Sequence, residues 1–183
     1  MGDSVEGRSA EAGDDAGRAA AFRHLAERHL SDSYRLANAI LGDPNESKDA
    51  VHDAFLTAWR KWHSLRDHGK FEQWFQRIVV NTCRNRLKRA SRLTSDGGRL
   101  SGTLPATDAI GPIHDRMQIE TALARMKPDD QVVLALRFYR DLKVDDIASL
   151  LGIPSGTVMS RLHNAQRRLR RLLDESDAQR NQR

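Results

Sequence analysis

Apolar residues recur at intervals of three and four, first as Phe22, Leu25, Leu30, Tyr34, Ala37, Ile40 and Leu41, which predicts an amphipathic helix. Gly42-Asp43-Pro44 stops it, because proline cannot continue a helix and glycine accepts a left-handed turn. A second helical stretch runs from about Glu46 to Trp62. It carries Ala50, Val51, Ala54, Phe55, Ala58, Trp59 and Trp62 at helical spacing, with Asp49 and Asp53 one turn apart. After the polar loop 64–70 a third helix is predicted from near Phe71. Trp74, Phe75, Ile78, Val79 and Cys83 form its apolar side, and Arg84, Arg86, Lys88 and Arg89 crowd its end. Trp74 and Phe75 read as core residues of a three-helix bundle spanning residues 19–92.

Residues 93–115 hold four glycines, two prolines and several Ser and Thr with no sustained period, the pattern of a flexible linker. Beyond it, Met117, Ile119, Ala122, Leu123 and Met126 form one helical stripe, and Val132, Val133, Leu136 and Phe138 form another behind Pro128. Strand-like alternation of useful length is absent, so the expected class is all-α, with two small helical domains, 19–92 and 116–174. Residues 1–18 are Gly, Ala, Ser and acids with one valine and read as a disordered leader, and 175–183 as a disordered tail.

Val144 to Leu162 fits a helix-turn-helix. Ala148 is small where two helices would cross closely, and Gly152 suits the left-handed turn. Ile147, Leu151, Ile153, Val158 and Leu162 supply the locking faces. Pro154 and Ser155 suit the opening of the second helix, where serine can cap free amides. That helix would turn Ser155, Thr157, Met159, Ser160, His163 and Asn164 outward, with Arg161, Arg167, Arg168, Arg170 and Arg171 available to phosphates. An ordinary helical hairpin with a basic face is the plainer alternative.

Composition sharpens this picture. The 183 residues carry a net charge of +5 with the basic residues in blocks, which points toward an anionic partner. One cysteine, Cys83, rules out an internal disulfide and reads as core packing rather than a redox sensor. No apolar run approaches the length of a bilayer span, so no membrane insertion is expected. The first twenty residues, with five acids and two arginines, lack a secretory core. A cytoplasmic location is the expectation.

The segments GDPNESKDAVHDAFLTAWRKW, FEQWFQRIVVNTCRNRLKR and ALARMKPDDQVVLALRFYRDLKVDDIASLLGIPSGTVMSRLHNAQRRLRRLL resemble, in order and spacing, the blocks of an extracytoplasmic-function (ECF) sigma factor. This is the smallest kind of sigma-70-type bacterial initiation factor, and the resemblance covers about residues 20–174. It implies a region 2 bundle followed by a region 4 helix-turn-helix. It further implies docking of Asp49, Val51, His52, Asp53, Phe55 and Leu56 on the clamp helices of the largest subunit of core RNA polymerase, with region 4 at the flap of the second subunit. His52 stands where glutamine is common in the family.

For the minus-ten promoter element the resemblance implies a base-holding loop, Leu65, Arg66, Asp67, His68, Gly69 and Lys70. Asn81 would stand at the flipped base, with cationic support from Arg77, Arg84, Arg86, Lys88 and Arg89. For the minus-thirty-five element it implies reading by Ser155, Thr157, Met159, Ser160, Arg161, His163, Asn164, Arg167 and Arg168. Met159 and Asn164 stand where the family commonly carries cations, which predicts weaker phosphate contacts or a shifted base preference. The resemblance also implies control by an anti-sigma factor and requires no cofactor.

Three other classes compete with this reading. A stand-alone helix-turn-helix repressor or activator would have no need of an acidic docking helix beside a basic, asparagine-bearing one. An enzyme would need a metal or nucleophile pattern, yet His24 and His29, like His63 and His68, are five apart, and no HExxH, paired CxxC or phosphate-cradling glycine loop appears. A pure protein-interaction module is disfavoured by the two basic helices.

Overall fold

The computed structural model describes residues 3–94 and 113–180, with side chains over 17–93 and 118–178. Helix α1 spans Asp3–Leu41, α2 Pro44–Arg60 and α3 Phe71–Thr94, with short 3-10 turns at Trp62–Ser64 and His68–Lys70 between α2 and α3. The carboxy-terminal half contains α4 (Ile113–Ala124), α5 (Pro128–Leu134), α6 (Val144–Leu151) and α7 (Ser155–Arg180). No strand occurs among the described residues. The all-α expectation holds.

The α1–α2 corner follows the sequence punctuation. Gly42 takes φ +73°. Asp43 is the N-cap of α2, its carboxylate accepting from the amides of Asn45 and Glu46 at 2.8 Å each. These bonds satisfy donors that the helix itself leaves free. Ser47, wholly buried, donates to the Asp43 carbonyl at 2.6 Å and fixes the corner from inside.

The bundle of α1, α2 and α3 closes over an aromatic cluster. Phe75 lies 4.4 Å from Phe55 and 5.3 Å from Phe71, ring centre to ring centre, and Phe22 meets Trp62 edge-on at 5.3 Å. Phe71, Phe75, Val79, Val80 and Cys83 are buried, which gives α3 its inner face. Burying each large apolar side chain contributes about 1.5–3 kcal/mol. Trp74, expected as core, is half-buried against the same cluster.

In the carboxy-terminal half, Val132, Val133, Leu136, Ile147, Val158, Leu162 and Ala165 form the core under α5, α6 and α7. The chain leaves α5 through a wider π turn, Ala135–Tyr139, closed by the Arg140 amide on the Ala135 carbonyl at 3.2 Å. Gly152, at φ +66°, caps α6 in the left-handed conformation that the sequence suggested.

Two boundaries differ from expectation. Backbone helix reaches back to Asp3, where a disordered leader was expected, and α7 continues to Arg180 through the expected tail. Glycine, serine and aspartate give the first segment little helix propensity of its own, but each segment extends a helix already nucleated by packing, so no new nucleus has to form. Residues 95–112 of the expected linker lie outside the described residues.

Candidate nucleic-acid interface

Helix α2 turns Asp49, His52, Asp53 and Leu56 to solvent at positions i, i+3, i+4 and i+7, a single stripe two turns long. Leu56 is 41 % exposed, so apolar area lies beside the acids. Phe55 is half-buried, its ring committed to Phe75. Val51, grouped from the sequence with these residues, is only 3 % exposed, because it shares the inward face of Ser47, Ala54 and Ala58. It supports the helix from behind, which corrects its expected place on the surface.

The loop between α2 and α3 is built around Asp67. Its carboxylate accepts from the Gly69 amide at 2.9 Å and lies 3.8 Å from Lys70 Nζ. A Cβ on Gly69 would stand 3.1 Å from Asp67 Oδ1, so glycine lets the loop close tightly over the cap. His68 stacks on Trp62 with ring centres 4.5 Å apart. Leu65 is half-buried; Arg66, His68 and Lys70 are exposed. Asn81 is also exposed, on α3.

Four cations of α3, Arg77, Arg84, Arg86 and Lys88, are engaged within the protein. Arg84 clasps Asp129 of α5 in a two-pronged pair, Nε to Oδ1 at 2.6 Å and Nη2 to Oδ2 at 3.0 Å. Lys88 Nζ and, from α7, Arg161 Nη1 each approach the same carboxylate to 3.6 Å. Hydrogen bonding from Arg84 holds the Asp129 carboxyl below its ordinary range against an opposing effect of burial. The neighbouring Asp130 carboxyl is pushed up by burial. Arg77 donates through Nε to the Leu150 carbonyl at 3.2 Å and through Nη2 to that of Ser149, in the last turn of α6, where helix carbonyls lack internal partners.

Arg86 is held differently. It bonds Glu46 and Asp53 of α2, both at 2.7 Å, and so braces α2 against α3. Expected among the DNA-facing cations, it is a strut of the bundle in this structure. Arg89 is exposed at the rim of a groove of about 1450 Å³ between the two halves of the protein, lined in part by Ile40, Leu87, Leu123, Leu134, Phe138 and Leu169.

On α7, Met159 is 57 % exposed, and Ser160, His163, Asn164 and Arg167 also face solvent. Thr157 is half-buried, and the Ser160 hydroxyl donates to its carbonyl at 3.0 Å. Arg168 reaches the Arg125 carbonyl at 3.4 Å. Ser155 does not act as the expected cap. Its hydroxyl donates to Asp145 Oδ1 at 2.6 Å, tying α7 to α6, while the amides of Thr157 and Val158 bond the Pro154 carbonyl at 2.9 and 3.2 Å.

Asp129 and Asp145 were missed by sequence reasoning. Both look like ordinary first-turn acids of a helix, and only the fold brings their partners to them. Cys83 is fully buried, and burial pushes its thiol up to about 12. Among the described residues no cluster of His, Cys, Asp or Glu could hold a metal ion, and no helix is long and apolar enough to cross a membrane.

Comparison with known proteins agrees with this layout. Residues 25–93 match sigma-70 region 2 and residues 116–169 match sigma-70 region 4. The chain is 32 % identical over 158 residues to the ECF RNA polymerase sigma factor SigM of Mycobacterium tuberculosis, covering 86 % of this chain and 80 % of that protein. It is 30 % identical over 166 residues to SigL, also an ECF RNA polymerase sigma factor of that organism, covering 87 % and 93 %. Among solved structures it shares its fold with the sigma factor RpoE of Bartonella quintana, crystallised with the anti-sigma factor NepR. That match has a TM-score of 0.64 at 21 % identity over 84 % of this chain and 96 % of RpoE. CnrH, solved with the cytosolic domain of CnrY, gives a TM-score of 0.58 at 23 % identity over 84 % and 88 %. With both regions matched in order and nearly the whole chain aligned, this protein belongs to the ECF sigma factors and has the function of a sigma factor of RNA polymerase.

Proposed function

We propose that the α2 stripe docks on the clamp helices of the largest subunit of core RNA polymerase, with Asp49, His52, Asp53 and Leu56 as the contact. Acids beside an exposed leucine suit a basic helical partner, because charge steers the encounter while apolar area holds it. The loop from Leu65 to Lys70 and Asn81 take the minus-ten element as its strand separates. Asparagine suits a base edge because its amide offers both a donor and an acceptor. Arg77, Arg84, Lys88 and Arg89 supply cations to that strand once the two halves part. The outward residues of α7, Thr157, Met159, Ser160, His163, Asn164 and Arg167, read the minus-thirty-five element as duplex, with the carboxy-terminal half seated on the flap of the second subunit. An anti-sigma factor covers the docking faces until a signal arrives, and the protein works in the cytoplasm.

The observation that carries this reading is the exposed α2 stripe, for which a stand-alone helix-turn-helix regulator has no use. Transcription with purified core polymerase and a genomic fragment library, read by sequencing RNA starts, tests it. Defined starts should appear only with this protein present and vanish with the double variant Asp49→Lys/Asp53→Lys. DNA binding without starts and without association with core enzyme would replace this reading by that of a stand-alone regulator.

A further inference from the structure

One carboxylate gathers three cations from two other helices. Asp129, in the first turn of α5, meets Arg84 and Lys88 of α3 and Arg161 of α7, and its side chain is 28 % exposed. On the same α3 face, Arg77 reaches the last turn of α6. Every polar bond just described except Asp129–Arg161 joins the amino-terminal bundle to the carboxy-terminal half. Beside these bonds α3 packs on α5 and α6, and α1 packs on the π turn, while a groove of about 1450 Å³ opens between the halves next to them. The groove gives up part of the dispersion contacts that a continuous interface would supply, so the polar clamp adds to closure what the limited helix packing leaves out.

We propose that Asp129 is an intramolecular latch, holding the two halves of the free protein together and keeping Arg84, Lys88 and Arg161 away from any polyanion. The Arg84–Asp129 pair has the two-pronged, partly buried geometry in which charge-assisted bonds are strongest. Phosphates and Asp129 compete for the same guanidinium and ammonium groups, so nucleic acid can engage them only by opening the latch. Bound nucleic acid in turn favours the open form by the same factor. The latch itself rests on geometry alone. Its consequence for promoter DNA rests on the function proposed above.

The test uses the full chain. Small-angle X-ray scattering of the free protein at low salt measures its radius of gyration in the parent, in Asp129→Asn and in Arg84→Gln, which breaks the pair from the other side and leaves the first turn of α5 intact. Both variants should be more extended than the parent, with circular dichroism unchanged. Binding of Asp129→Asn to a short fluorescent duplex and to oligo(dT) should tighten about tenfold. Its log–log salt dependence should steepen by about two, as cations freed from the carboxylate find phosphates. Equal radii of gyration for all three proteins overturn the latch. Expansion of both variants without tighter binding upholds the latch and removes Arg84 and Lys88 from the nucleic-acid interface, a failure of the proposed function rather than of the closure. Should Asp129→Asn alone lose helix, Arg84→Gln decides.

Discussion

Helices α3 and α7 are both strongly basic, yet they differ in how much of that charge the fold engages. Along α3, Arg77, Arg84, Arg86 and Lys88 each reach a carbonyl or carboxylate supplied by another helix. Along α7, His163, Asn164 and Arg167 face solvent with no hydrogen-bond or ion partner among the described residues. The difference lies in what stands opposite. α3 runs beside α2 and against α5 and α6, which bring Glu46, Asp53, Asp129 and free helix-end carbonyls to it, whereas among the described residues no partner is brought to His163, Asn164 and Arg167 on the outer face of α7. A run of arginines in a sequence therefore locates charge, and the acids that the fold brings to it decide whether that charge is available.

The strongest way to break the comparison is to remove the frame of α3. Phe75→Ala deletes a fully buried ring and should cost about 3–5 kcal/mol, seen as a fall in Tm of the amino-terminal bundle. Duplex binding through α7 should survive, and its loss would show that the two surfaces are not separable. Next in size, Asn164→Arg should tighten duplex binding about tenfold and move the base preference toward guanine. Identical binding across a panel of minus-thirty-five variants would sink that assignment.

A matched pair sharpens the contrast. Arg86→Gln should lower stability by about 1 kcal/mol or less, since its carboxylate partners are half exposed and screened, and should leave the salt dependence of DNA binding unchanged. Arg167→Gln should do the reverse, sparing Tm while reducing the salt slope by about one.

The smallest effects are expected absences of change. Because Arg84 holds the Asp129 carboxyl below its ordinary value of 3.8, its contribution to closure is complete above that value and is lost only as pH falls through the depressed one. Asp130, pushed up by burial, has the opposite sign: taking up a proton relieves a cost. The scattering profile of the free protein should therefore stay constant from about pH 8 to pH 6. With its thiol raised to about 12, Cys83 should resist thiol reagents near pH 8 until the bundle unfolds.

Much of this was legible in the sequence because it is local. Gly42-Asp43-Pro44 encodes a corner through backbone preferences of adjacent residues, and Ala148, Gly152 and Val158 encode the helix-turn-helix within a dozen positions. Helical spacing likewise separated the buried face of α3 from its basic one. What escaped is what depends on distant partners. Nothing near Asp129 in the chain announces Arg84, and nothing near Ser155 says that its hydroxyl will meet Asp145 rather than cap its own helix. Val51 is a different case: helical spacing already set it in the apolar stripe of α2, and only the resemblance moved it to the surface, where its 3 % exposure does not allow it. The helix ends at Asp3 and Arg180 were missed because extending a formed helix needs no hydrophobic signal.

The Arg84–Asp129 pair also imposes an order on the birth of the protein. The two residues are 45 positions apart, so at ordinary translation rates Asp129 is added about 2–9 s after Arg84. The bundle is complete well before the carboxylate that covers its basic helix has left the ribosome. During that interval the nascent chain presents Arg84 and Lys88 uncovered, beside a particle made largely of RNA. On the latch proposed above, synthesis of the second half is what covers the basic helix of the first.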